Sequence, residues 1–124
     1  MKRKKKKLNG KIISLTGSEF WYKDGCLHRI DGPAVTHSSG SMFWYKDGLL
    51  HREDGPAVIN SLGTQTWYKD GKIHRDDGPA YISKEGKEYW YKGGIPYEPS
   101  AHETMTWKLY EKQNNQTKKQ NKQS

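Results

Sequence analysis

The stretch Trp44-Tyr45-Lys46-Asp47-Gly48-Leu49-Leu50-His51-Arg52-Glu53-Asp54-Gly55-Pro56-Ala57 decides how the chain is read. Its opening pentad, Trp-Tyr-Lys-Asp-Gly, also starts at Trp21 and Trp67, and a decayed copy, Trp-Tyr-Lys-Gly-Gly, starts at Trp90; the spacing is 23 residues each time. A fixed period of this size marks a repeat architecture, in which each unit is one supersecondary element that stacks on its neighbours. Gly17, Gly40, Gly63 and Gly86 keep the same interval. So do the pairs His28-Arg29, His51-Arg52 and His74-Arg75, and the Asp-Gly-Pro-Ala tetrads that start at Asp31, Asp54 and Asp77. Residues 11–14 stand where Ala57-Val58-Ile59-Asn60 stand one phase later, so the array opens on a partial unit. The fourth unit fades, with Tyr97 and Glu98 in place of a His-Arg pair. The array spans about residues 10–98, close to four units.

Within a unit, Met42-Phe43-Trp44-Tyr45-Lys46 is aromatic and predicts a strand. Asp47-Gly48 predicts a two-residue type I′ hairpin turn, which needs positive φ at both central residues. Leu49-Leu50-His51-Arg52 then returns, Asp54-Gly55-Pro56 breaks the ladder, Ala57-Val58-Ile59-Asn60 forms another strand, and Ser61-Leu62-Gly63 turns into the next unit. The expected fold is all-β, a single-layer twisted antiparallel array of β-hairpins. Strand alternation puts Phe43 and Tyr45 on one face and Met42, Trp44 and Lys46 on the other. The second face carries Trp21, Lys23, Trp44, Lys46, Trp67, Lys69, Trp90 and Lys92, with lysine stems able to cover the rings. That aromatic and lysine face is the candidate interaction surface.

Charge divides the chain. Six of the 22 basic residues form the run Lys2-Arg3-Lys4-Lys5-Lys6-Lys7, and Lys118, Lys119 and Lys122 lie near the end. Residues 8–112 hold 13 basic and 14 acidic side chains, so the array is near neutral. The expected organisation is a basic disordered tail over 1–9, the array over 10–98, a capping helix over 99–113 and a disordered polar tail over 114–124. The helix expectation rests on Ser100-Ala101-His102-Glu103, a capping box. Met105 and Leu109 share a face of it, with Trp107 and Tyr110 nearby, and the helix is expected to cover the last hairpin and its open edge. The run Lys2–Lys7 is a candidate polyanion arm. No apolar run approaches the length of about 18 residues that a membrane span needs, and no apolar stretch follows the basic start as a secretory signal would require. The lone Cys26 excludes an internal disulfide framework and suits a reducing compartment, so a cytoplasmic location is expected, with the nucleus as the variant in a eukaryotic host.

The sequence Lys-Asp-Gly-x-x-His, with a further glycine, at a 23-residue period resembles MORN repeats. It more closely resembles the variant repeats with His-Arg-x-Asp-Gly-Pro-Ala found in proteins of bacteria, phages and large DNA viruses. The resemblance covers residues 10–98 and implies an open array of hairpins that acts as a scaffold or binding surface. MORN repeats usually carry Gly where Arg29, Arg52 and Arg75 stand, and the variant group brings no shared activity.

The trio His51, Arg52 and Asp54 could in principle serve acid–base or phosphate chemistry. Its recurrence in three units points instead to a structural ladder, with Asp capping the turn and Arg pairing with an acid. Equivalent histidines on a sheet lie about 10 Å or more apart, too far to share one zinc. No cofactor or metal is expected, and no enzyme activity. Two functions remain. One is a protein-interaction module that uses the sheet face or edge. The other is a binder of nucleic acid or a nucleotide, through the basic tail and bases stacked on the tryptophans.

Overall fold

A computed structural model of the protein describes residues 6–123, with side chains as far as residue 115. The chain is all-β with a C-terminal helix, and its strands fall into two ranks. The first rank is a meander of β1 (Gly10–Ile13), β2 (Glu19–Lys23), β4 (Val35–Thr36), β5 (Met42–Phe43), β8 (Val58–Ile59), β9 (Gln65–Thr66), β12 (Tyr81–Ile82) and β13 (Glu88–Tyr89), antiparallel and in that order. The second rank consists of short hairpins. The outer part of β2 pairs with β3 (Cys26–Leu27), β6 (Tyr45–Lys46) with β7 (Leu49–Leu50), β10 (Tyr68–Lys69) with β11 (Lys72–Ile73), and β14 (Tyr91–Lys92) with β15 (Ile95–Pro96).

The expected continuous strand Met42–Lys46 is therefore two strands with a break at Trp44. Equivalent breaks occur at Trp67 and Trp90, while β2 runs unbroken through Trp21. The hydrogen bonds give the reason. Trp44 N–H donates to Ala57 O at 2.7 Å, toward the meander, and Trp44 O accepts from His51 N–H at 3.0 Å, within the hairpin. Each tryptophan is the corner at which the chain passes from one rank to the other. Ala34, Ala57 and Ala80, which supply the acceptors, have no exposed surface.

Register carries one unbroken row across the meander: Ile12, Phe20, Val35, Phe43, Val58, Thr66, Tyr81 and Tyr89. Direct cross-strand pairs of this kind contribute about 0.2–1 kcal/mol each. The hairpin turns have the expected geometry, with Asp24, Asp47 and Asp70 at φ 49–50° and Gly25, Gly48 and Gly71 at 81–82°. Neighbouring hairpins touch through few main-chain bonds. Gly48 N–H donates to Leu27 O and Arg29 N–H to Tyr45 O, and the same pair recurs at the next two joints. At the first hairpin Leu8 O takes the place of the missing unit, accepting from Gly25 N–H at 2.8 Å.

Helix α1 runs Ala101–Gln123. Its capping box forms as expected: Glu103 N–H donates to Ser100 Oγ and Ser100 N–H donates to Glu103 Oε1, both at 3.1 Å. Two expectations are corrected. Residues 114–123 continue the helix rather than forming a disordered tail; no glycine or proline follows Pro99, and glutamine and lysine propagate a helix well. Met105 and Leu109 face solvent, at 64% and 59% exposure, whereas Trp107 is buried, against the third unit rather than the last hairpin. Of the basic run, Lys2, Arg3, Lys4 and Lys5 lie outside the described residues, and Lys6 and Lys7 are exposed.

Candidate functional site: the grooves between units

The loop that follows each hairpin builds one rung of the site. Arg52 lies with its guanidinium carbon 3.9 Å from the centre of the Trp44 ring. Its Nε–H donates to Asp54 Oδ1 at 3.0 Å and its Nη1–H donates to Pro56 O at 3.0 Å. Arg29 on Trp21 and Arg75 on Trp67 repeat this at 4.2 and 4.0 Å, with the same bonds to Asp31 and Pro33 and to Asp77 and Pro79. The arginine also explains the glycine of Asp-Gly-Pro-Ala. Its φ is not in the left-handed region, yet a Cβ on Gly55 would stand 2.9 Å from Arg52 Cζ. The loop closes over the guanidinium, and a Cβ there would push the arginine from its place.

The histidines join successive units. His28 Nδ1 accepts from Asp47 N–H at 3.0 Å, His51 Nδ1 from Asp70 N–H at 3.0 Å, and His74 Nδ1 from Gly93 N–H at 2.9 Å. Each ring thus holds the hairpin turn of the following unit, and Asn9 Oδ1 does the same for Asp24 N–H at 2.9 Å. An acceptor at Nδ1 puts the proton on Nε2. His51 Nε2 meets Glu53 Oε1 at 2.6 Å, and His74 Nε2 meets Asp76 Oδ1 at 2.8 Å. At the equivalent place after His28 stands Ile30, and the buried His28 Nε2 has no hydrogen-bond partner among the described residues.

Sequence reasoning expected the trio to be a structural ladder, and the contacts have that form, with one change of role. Arginine pairs with the acid of its own unit, but the turn is held by the preceding unit's histidine rather than by an aspartate. The rings of Trp21, Trp44 and Trp67 are covered by Arg29, Arg52 and Arg75, not chiefly by lysines; among the described residues the lysine placed over one of these rings is Lys11, 5.7 Å from Trp21. Two signals in the sequence could have revealed this: the strict Arg-x-x-Gly spacing, and the histidine fixed 19 residues before the next turn.

Between successive rungs lie open grooves. The first, about 750 Å³, runs from Arg29, Gly32 and Pro33 across Trp44 and Lys46 to Arg52. The second, about 480 Å³, runs from Arg52, Gly55 and Pro56 across Trp67 and Lys69 to Arg75, and Tyr110 of α1 enters it. A third, about 400 Å³, includes Trp90 and Tyr97. The structure thus brings Trp44 together with Lys46, and Trp67 with Lys69, in one groove each. Lys23 is exposed, while Lys92 bonds Glu103 at 3.5 Å and lies 5.0 Å from the Tyr97 ring.

The rims are acidic. Asp31, Glu53, Asp54, Asp76 and Asp77 are all more than three-quarters exposed. The hydrogen bond from Arg29, then its charge, holds the Asp31 carboxyl below the ordinary value. The Ser100 N–H does the same for Glu103. Burial pushes Glu88 up, and the charge of Glu111 adds to that. Among the described residues no group of three or more His, Cys, Asp or Glu side chains could hold a metal ion, and no helix is long and apolar enough to cross a membrane. Comparison of the chain with protein-family patterns, with curated proteins and with solved structures gave no match.

Proposed function

We propose that the array is a non-enzymatic, MORN-like scaffold that docks a protein partner through its sheet face, with the repeated grooves on it, or through an open sheet edge. One observation carries this reading: the reactive side chains of the motif are already engaged. In every complete unit the arginine is stacked and doubly bonded, and the histidine holds the next turn. What the units offer outward is a repeated relief of aromatic floor and acidic rim. A partner that contacts several equivalent grooves gains avidity from weak individual contacts.

Nucleic-acid or nucleotide binding is the rival, and Lys23, Lys46, Lys69 and Lys92, exposed at equivalent hairpin positions, favour it. Arginine stacking weighs against it, because each guanidinium already covers one face of its tryptophan ring. The test is affinity capture of the full chain from cells of its source, with and without nuclease, followed by in-vitro binding of the captured protein. Direct binding that survives nuclease supports the scaffold. Loss of every partner on nuclease treatment overturns it in favour of the rival.

A further inference from the structure

The third unit shows what its groove face receives. Trp107 of α1 lies with its ring centre 4.7 Å from Arg75 Cζ, so that guanidinium is held between Trp67 and Trp107. The indole also lies on the main chain of Gly78, where a Cβ would be 2.8 Å from its Cε3 atom. Pro79 is fully buried and the Arg75 side chain is only 8% exposed. Arg75, Gly78 and Pro79 thus form a seat for an indole. The seat is filled from within the chain, and Tyr110, stacked on Trp107 at 5.5 Å, reaches the neighbouring groove.

The first unit has the same seat without an occupant. Arg29 stacks on Trp21 at 4.2 Å, and a Cβ on Gly32 would be 3.0 Å from Arg29 Cζ, so the guanidinium and the glycine stand as they do in the third unit. Gly32 and Pro33 are half-buried, where Gly78 and Pro79 are buried, and the Arg29 side chain is 24% exposed. The groove over this seat is the largest of the three. It also has a feature the others lack: Ile30, 92% exposed, at the position held by Glu53 and Asp76 elsewhere. An apolar side chain at the mouth of an aromatic-lined groove is a surface that gains by being covered. Beyond it the rim carries Asp31, Glu53 and Asp54. In α1 the neighbours of Trp107 on its own helix face are Glu103, Thr104, Tyr110 and Glu111, so what fills the third seat is an aromatic side chain carried on a helix, with no basic residue among those neighbours.

We propose that the groove between the first and second units is a docking site for a helical segment of a partner protein that inserts an aromatic side chain onto Arg29, Gly32 and Ile30. The indole stacks on the free face of the guanidinium, and Ile30 covers its edge. The site rests on the scaffold reading and names the chemistry of the partner that reading requires.

The full chain is titrated with a synthetic peptide of residues 99–115 and followed by NMR at the Arg29 Nε–H, the Gly32 amide and the Ile30 methyls. Saturable shifts at these three groups are expected. They should vanish for the peptide carrying Trp107→Ala. They should need at least about fivefold more peptide for the Ile30→Lys protein, which loses the apolar contact at the mouth of the groove. Absence of shifts at the first groove, equal shifts with the Trp107→Ala peptide, or shifts confined to β1 and β13 would each overturn the proposal. The last would point to edge pairing with a second copy. The two readings fail separately. A captured protein partner that binds Ile30→Lys as tightly as the natural chain removes the groove proposal and leaves the scaffold. Loss of every partner with nuclease removes the scaffold, whatever the peptide does.

Discussion

Replacing His51 by alanine should cost about 2–3 kcal/mol of folding stability. Its side chain is 7% exposed and makes two hydrogen bonds, one to Asp70 N–H at 3.0 Å and one to Glu53 at 2.6 Å. Each such bond contributes roughly 1 kcal/mol net, more where a partner is charged, and the buried ring adds about 1 kcal/mol of apolar transfer. For a domain of about 100 residues this corresponds to a fall of roughly 10–20 °C in melting temperature. The three histidines are not equivalent, and their order is the sharper test. His74 makes both bonds but is 22% exposed, so it should cost less than His51. His28 makes only the bond to Asp47 N–H, since its Nε2 has no partner among the described residues, and should cost least, about 1 kcal/mol. His51→Asn should recover part of the loss, because Asn9 already performs the same task for Asp24 with a side-chain oxygen. Urea denaturation of the four variants, at unchanged slope, reads these differences. Equal losses at all three histidines, or a neutral His51→Ala, would refute the assignment of the histidines as turn holders between units.

Ile30→Glu places a carboxylate where Glu53 and Asp76 serve the other units, and should stabilise the fold by about 0.5–1 kcal/mol, read as a raised denaturation midpoint. Gly55→Ala should cost about 2 kcal/mol, since a Cβ would displace Arg52 from Trp44, Asp54 and Pro56; Arg52→Ala in the same background should add little. Gly48→Ala should cost about 1 kcal/mol by a different route, the φ of +82° that the turn requires, and should add independently to Arg52→Ala. Glu103 is held below its ordinary value by the capping box, so its contribution is present at neutral pH and is lost as pH falls through that lowered folded-state value. Circular dichroism should therefore show helix loss on acidification, and Glu103→Gln should flatten that dependence.

Much of the fold was legible because a repeat states its own boundaries. Asp47-Gly48 sets a turn by the dihedrals it tolerates, and Ala57-Val58-Ile59-Asn60 sets a strand by its branched side chains. The break at Trp44 was not legible. Alternation of apolar and polar residues passes through it undisturbed, and only the partners of its N–H and C=O show that the chain turns there. The cover on the tryptophans was misjudged because lysine stands two residues on, on the same side of the strand, while arginine arrives eight residues later, from the returning loop. The helix was placed at its start by the capping box, a local signal. Its packing was not, because Trp107 chooses its site by a long-range fit to Gly78 and Arg75, whereas the spacing of Met105 and Leu109 describes only a helix face. The groove at Ile30 lay in the sequence as one departure from an acidic position, and it acquires meaning only once His28 and Arg29 are in place around it.

The most direct test of the claim that the repeated histidine of each unit is spent on joining it to the next is a through-hydrogen-bond NMR coupling between imidazole and amide nitrogens. The structure calls for such couplings from His28 Nδ1 to the Asp47 amide, from His51 Nδ1 to the Asp70 amide and from His74 Nδ1 to the Gly93 amide, with the proton on Nε2 in each ring. Three couplings with that tautomer are the expected result. Rings protonated at Nδ1, or no coupling at any of the three joints, would contradict it and return the histidines to the list of groups free to do chemistry.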